Sequence, residues 1–311
     1  MSKSKSLVTV AAAAAFLVSL SAASPAGAQS KLQTQVFTAS PGGFLVTSTL
    51  VSGEKDAILV DGQFTLSDAH RLVGMILDSK KNLTTIYVTH AHPDHYFGLV
   101  VLKQAFPAAK LVALPSTVAA IKKSWQGKVK QWGPMYGANL TTKPVIPTAL
   151  KTTATGATLT LEGEALEIRG PVQGDDAENS YVWIAGSKTA IVGDIAYRGM
   201  HVWTAETKSE SRKAWMKTLD DVTALNPTTV IAGHKDPKFK DEPVVLQQTK
   251  DYLKVFDEAA AASKTSAELQ SKVKAKYPDL QMDIVLQLGA DAAIPAAPAA
   301  PAGTPAAAPK K

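Results

Sequence analysis

Apolar residues along this chain fall into short continuous runs that alternate with helically spaced stripes. Gly43 to Val51 ("GFLVTSTLV") and Ala57 to Val60 ("AILV") are strand-like runs separated by "SGEKD", which predicts a hairpin. Ser67 is suited to cap a following helix in which Leu72, Val73, Ile76 and Leu77 recur at helical spacing. Next, "TTIYVT" reads as a buried strand ending at His90, "GLVVLKQAF" as a helix and "KLVAL" as another strand. That succession predicts a parallel β-α-β crossover. Residues 115 to 147 look less regular, with Trp125, Trp132, Met135 and Tyr136 scattered among lysines. The segment from 125 to 136 reads equally as a lid with an apolar wall or as a peripheral helical insertion.

Later runs, "TGATLTLEGEALEIRG", "SYVWIAGSKTAIVGD" and "TTVIAGH", predict strands with tight turns. Trp215, Leu219, Val222 and Leu225 mark an amphipathic helix, and 241 to 276 reads as helical. The pattern is two successive halves, each with strands first and helices after. Two sheets face to face with helices outside would bury every apolar run.

The chain ends divide the remainder. Lys3 and Lys5, an apolar stretch from Leu7 to Leu20 and Ala26-Gly-Ala28 form the layout of a secretory leader, residues 1–28. The stretch falls short of the ~20 residues a membrane span needs. The chain has no cysteine, so neither a lipid-anchored cysteine nor a disulfide is available. The expectation is export without a stable membrane anchor, to the periplasm or beyond. Residues 291–311 are mostly Ala and Pro and predict an extended tail. This leaves 29–290 as one large unit. The net charge of +6 includes Lys3, Lys5, Lys310 and Lys311; without these four lysines the rest of the chain carries +2, too little for a nucleic-acid footprint. A small-molecule substrate is the expected partner.

The chemistry concentrates in "THAHPDHYFG". Three of the six histidines and one aspartate lie between His90 and His95, directly after an apolar strand. His90 and His92, two apart, point to the same side of an extended backbone. Asp94 and His95 follow in the turn. Imidazoles and a carboxylate at the carboxyl edge of a sheet are a zinc-type donor set. Two other apolar strands end in a glycine and then a donor, at Gly193-Asp194 and Gly233-His234. There is no G-x-S-x-G elbow, G-x-x-x-x-G-K loop or G-x-G-x-x-G fingerprint.

The order H-x-H-x-D-H, strand-terminal Gly-Asp, strand-terminal Gly-His resembles the metallo-β-lactamase superfamily over residues 40 to 240. That resemblance implies an αββα four-layer sandwich of the α/β class with two zinc ions per chain. It implies His90 and His92 on the first metal, Asp94, His95 and His234 on the second, and Asp194 bridging them. It further implies hydrolysis by a metal-activated hydroxide, with Asp94 orienting it and carrying a proton to the leaving group. The spacing of Asp194 and Tyr197 is similar to that in the acyl-homoserine-lactone lactonases of the superfamily, where the phenol assists at the substrate carbonyl.

One position departs from the family pattern. Where a further histidine usually stands, aligning Gly174 and Asn179 places Asp175. Either Asp175 is the third ligand of the first metal or that metal is weakly held. A site this rich in carboxylates would also accept Mn²⁺ or Fe²⁺. The expected bond is an ester, lactone or thioester. The alternatives are a periplasmic β-lactamase, a phosphoester hydrolase, a mononuclear iron enzyme of sulfur or redox chemistry, and a metal-binding protein without turnover. His201 reads equally as a cleft or a structural residue; His70 is assigned no role.

Overall fold

The computed structural model describes residues 30–154 and 156–295, so the predicted leader and the tail beyond 295 lie outside the described residues. The first half runs β1 (Gln33–Thr38), β2 (Thr47–Ser52), β3 (Asp56–Val60), α1 (Leu66–Asp78), β4 (Asn82–Val88), α2 (Leu99–Ala105), β5 (Lys110–Ala113), α3 (Pro115–Tyr136) and β6 (Thr148–Ala149). Its strands form one sheet in sequence order, β1 to β6. β2 and β3 are the predicted hairpin, and β3, β4 and β5 run parallel with α1 and α2 in the crossovers.

The second half runs β7 (Gly156–Leu161), β8 (Glu164–Val172), β9 (Asn179–Ile184), β10 (Thr189–Ile191), β11 (Tyr197–Arg198), α4 (Ser209–Thr223), β12 (Thr229–Ile231), β13 (His234–Lys235), α5 (Val244–Ala261), α6 (Ser266–Lys276) and α7 (Asp283–Ala293). Its main sheet has the order β12-β10-β9-β8-β7, and β11 pairs with β13 in a small parallel ladder. Among the described residues no helix is long and apolar enough to cross a membrane.

The strand alternation sorts residues into two apolar layers. Val51, Ile58, Val60 and Tyr87 of the first sheet meet Ile168, Val182, Ile191 and Ile231 of the second in one buried cluster. The intervening Leu50, Leu59, Ile86 and Val88 belong to the other cluster, which includes the helix residues Leu72, Ile76, Leu99 and Leu102. Both faces of each central strand are therefore covered, which is why "AILV" and "AIV" are continuously apolar. Each such Val, Leu or Ile contributes about 1.5–3 kcal/mol by leaving water. The αββα sandwich follows from that double burial.

Local expectations needed four corrections. Strand β2 begins at Thr47, because Phe44 and Leu45 take left-handed φ values of 59° and 56° and turn the chain first. The cap of α1 is Thr65, whose hydroxyl accepts from Asp68 N at 3.1 Å; Ser67 lies inside the helix. Leu77 of that helix is exposed, so the buried stripe is Leu72 and Ile76. Residues 115–136 form one continuous helix: Val118, Ile121, Trp125, Val129 and Trp132 keep a helical stripe that the intervening lysines disguise. Strand β1 and helix α7, which extends to Ala293, were not foreseen.

The halves are tied together where the strands of both sheets end. Thr47 N donates to Gly233 O at 2.7 Å and Thr47 Oγ1 to Ala232 O at 2.6 Å. Ser180 Oγ donates to Thr89 O at 2.5 Å, so Tyr87 OH is the donor in its 2.6 Å bond to Ser180 Oγ. These buried cross-sheet bonds fix the relative position of the loops that carry the site.

Candidate metal centre

The segment from β4 to α2 delivers His90, His92, Asp94 and His95 into one concavity, with Pro93–His95 forming a short 3₁₀ turn. The β8–β9 turn brings Asp175, the residues after β10 bring Asp194, and β13 opens with His234. These seven side chains form two donor groups: His90, His92, Asp175 and Asp194; then Asp94, His95 and His234. Asp194 stands between them. Its Oδ1 is 3.1 Å from His95 Nε2, and its Oδ2 is 3.1 Å from His234 Nε2 and 3.7 Å from His90 Nε2. Glycine at 233 is what lets Asp194 sit there: a Cβ would stand 2.1 Å from Asp194 Oδ1 and 2.4 Å from Gly193 C.

The outer hydrogen bonds determine which nitrogen of each ring faces the concavity. His95 Nδ1 donates to Asp61 Oδ2 at 2.8 Å, and His234 Nδ1 to Phe44 O at 2.7 Å. Thr89 Oγ1 spends its proton on Asp61, so it accepts from His90 Nδ1 at 3.0 Å. All three rings thus turn Nε2 inward, as metal-binding histidines do. His90 Nε2, His95 Nε2 and Asp194 Oδ1 are buried with no hydrogen-bond partner. Buried orphan acceptors clustered this way fit a divalent cation.

His92 is turned the other way. Its Nδ1 lies 2.8 Å from Asp175 Oδ2, and its Nε2 lies 3.3 Å from Glu206 Oε2. Glu206 Oε1 is 2.5 Å from Lys128 Nζ of α3. Asp175 is fully buried and is steadied by Asn179 Nδ2 at 2.9 Å, so the Gly174 and Asn179 register places Asp175 in the donor group. Asp176 lies farther out: its Oδ1 accepts from Glu178 N, and its Oδ2 is 4.0 Å from His92.

Burial and charge set the protonation of the group. Burial pushes the Asp175 carboxyl up to about 7, against the pull of His92. Asp194 is held well below the usual carboxylate range: burial opposes this, but His234, His95 and His90 outweigh it. Burial also opposes protonation of His234, yet Asp194 and Asp94 raise it to about 10, and Asp175 raises His92 in the same way. A cation must displace these protons. Divalent metal uptake is therefore expected to release protons, and affinity to rise from about pH 6 to 8. Zinc titrations in weak buffer, read by the pH change, check this; an affinity flat across that range would contradict it.

Tyr197 lies in the same cleft, its hydroxyl 2.7 Å from Asp194 Oδ2 and 3.1 Å from Asp175 Oδ2, its ring stacked on His234. The cleft above the donors is narrow and partly open to solvent. Phe44, Phe64, Trp132, Met200, Trp203 and Val285 line its walls, with Lys128 and Glu206 beside them. Trp132 makes α3 part of the apolar wall. His201 is not in either donor group; it is buried, bonds Tyr252 OH at 3.0 Å, and burial lowers it to about 4. His70 is exposed on α1. Sequence reading missed Asp61, Thr89 and Glu206. Asp61 did carry a signal, since "AILVDG" ends an apolar strand in a donor as "AIVGD" does.

A two-sheet sandwich with paired His/Asp donor groups at the strand ends defines a metal-dependent hydrolase. The family model described as the metallo-beta-lactamase superfamily matches residues 41–234, and the chain belongs to that superfamily. A metallo-beta-lactamase family protein from Thermus thermophilus has the same fold at 18% identity and TM-score 0.63, covering 85% of this chain and 91% of that one. A metallo-beta-lactamase from Pontibacter korlensis does so at 19% identity and TM-score 0.55, covering 73% and 96%. No curated protein sequence matches the chain.

Proposed function

We propose that this chain is an exported binuclear zinc hydrolase that cleaves an ester, lactone or thioester carrying a bulky apolar group. The observation that carries the reading is the juxtaposition of two donor groups, joined at Asp194, with a largely apolar cleft above them. His90, His92, Asp175 and Asp194 would hold one cation, and Asp94, His95 and His234 with Asp194 the other. Such a pair supplies hydroxide near neutral pH and a positive charge for the substrate oxygen.

The side chains do the rest. Asp94 lines the cleft, with its Oδ2 3.3 Å from His234 Nε2. Burial disfavours its charge, but His95 and His234 keep it ionised, so it accepts a proton and passes it to the leaving group. Tyr197 holds Asp194 and Asp175 in place and, lining the cleft, would assist at the substrate carbonyl. Trp132, Trp203 and Phe44 seat the apolar part and exclude water from the reacting bond. The leader-like first 28 residues support export.

The test is hydrolysis by the zinc-loaded protein of nitrophenyl esters of increasing acyl length, beside a lactone, a thioester, a β-lactam and a phosphodiester. Ester, lactone or thioester turnover is expected, with kcat/KM rising up to about fourfold per buried methylene and lost on chelation. Turnover confined to the β-lactam or the phosphodiester would sink the assignment.

A further inference from the structure

We propose that Glu206 is the positioning residue for His92: it accepts the Nε2 proton and so fixes Nδ1 as the nitrogen that faces the metal. The inference rests on the metal-hydrolase reading above and adds a residue that no part of the sequence motif contains. Three of the site's four imidazoles have their outward nitrogen taken by a neighbour: His90 by Thr89, His95 by Asp61 and His234 by the Phe44 carbonyl. In each the outward nitrogen is Nδ1. His92 alone of the four has Nε2 outward, and the acceptor there is Glu206 Oε2 at 3.3 Å, close but short of full hydrogen-bond alignment.

Glu206 is exposed on the connection between β11 and α4, so it would wander without support. Two features restrain it. Lys128 Nζ holds its other oxygen at 2.5 Å, and Lys128 stands one turn before Trp132, which is buried in the α3 contact with Phe44 and Phe64. On its own connection, Thr204 is buried and the Trp203 ring lies 6.4 Å from that of His92. The chain Lys128–Glu206–His92 thereby joins α3 of the first half to the second half across the mouth of the cleft. A carboxylate in that position also makes the inward nitrogen a stronger donor. This matters most for the group in which Asp175 stands where the family pattern has histidine.

Stepwise zinc affinities of the full chain, measured by competition with a chromophoric chelator, test the proposal. Wild type, Glu206→Ala, Glu206→Gln and Lys128→Met are compared, with thermal melts of each. Glu206→Ala is expected to weaken one of the two sites about 10- to 100-fold and leave the other unchanged. Glu206→Gln should recover most of the loss, because its amide oxygen still accepts from Nε2, and Lys128→Met should fall between. Unchanged affinities in Glu206→Ala would overturn the proposal. So would equal weakening of both sites with a lowered melting temperature, which marks a purely structural role. Equal losses in Gln and Ala would make Glu206 a direct ligand and overturn it too. A wild type that binds no zinc would instead overturn the metal reading beneath it.

Discussion

Asp194→Ala is expected to empty both donor groups of metal and to abolish hydrolysis with them. Asp194 offers one oxygen toward His95 and the other toward His234 and His90, so its removal opens a gap in both groups at once. The loss should exceed the ~10- to 100-fold that removing an outer partner of a metal ligand costs, and it should appear in metal content before it appears in any rate. The variant also leaves Tyr197 OH without its 2.7 Å partner and takes one counter-charge from His95 and His234, which keep Asp61 and Asp94. Elemental analysis of purified wild type and variant, followed by thermal melts with and without added zinc, makes the check. Wild type should be stabilised by zinc and the variant should not. A variant that kept two metals would remove the bridging role.

Asp175→Ala should lower the metal content from near two per chain to near one, retaining the group of Asp94, His95 and His234. The reason is local. Asp175 is fully buried, faces His92 Nδ1 at 2.8 Å and is fixed from behind by Asn179. Its alanine variant leaves His90 and His92 with Asp194 as the remaining donor of that group. Asp175→Asn provides the control, since it preserves the shape and the Asn179 neighbour without the negative charge. Metal retained at two in both variants would make Asp175 a turn residue only. One metal in wild type and variant alike would mean that the first group does not hold its cation.

Much of the site was legible before any coordinates. His90, His92, Asp94, His95, Asp194 and His234 all follow apolar strands, and a strand end at a sheet's carboxyl edge has few places to point other than a common crevice. The αββα layering was legible too, because runs such as "AILV" and "AIV" are apolar on both sides and demand cover on both faces. Helix α3 was legible only as one of two readings, since Lys122, Lys123 and Lys130 on its solvent side and Lys128 beside the cleft hid a regular stripe from Val118 to Trp132. The cap at Thr65 was displaced by two residues because Ser67 and Thr65 are chemically alike and only the backbone at Thr65 is extended.

The sequence by itself determined which potential metal donors gather at the strand ends, because covalent neighbours in "HAHPDH" cannot separate and Gly-Asp and Gly-His are local signatures. It also determined the layer order, through the period and run length of the apolar positions. Only the tertiary structure decided how those residues divide into two groups and which ring nitrogen each presents. Those outcomes depend on contacts between positions far apart in the chain: His234 with Phe44, His95 with Asp61, and His92 with Asp175 and Glu206. A hydrogen bond that orients an imidazole acts over about 3 Å, and no one-dimensional pattern places two residues that close across 190 positions.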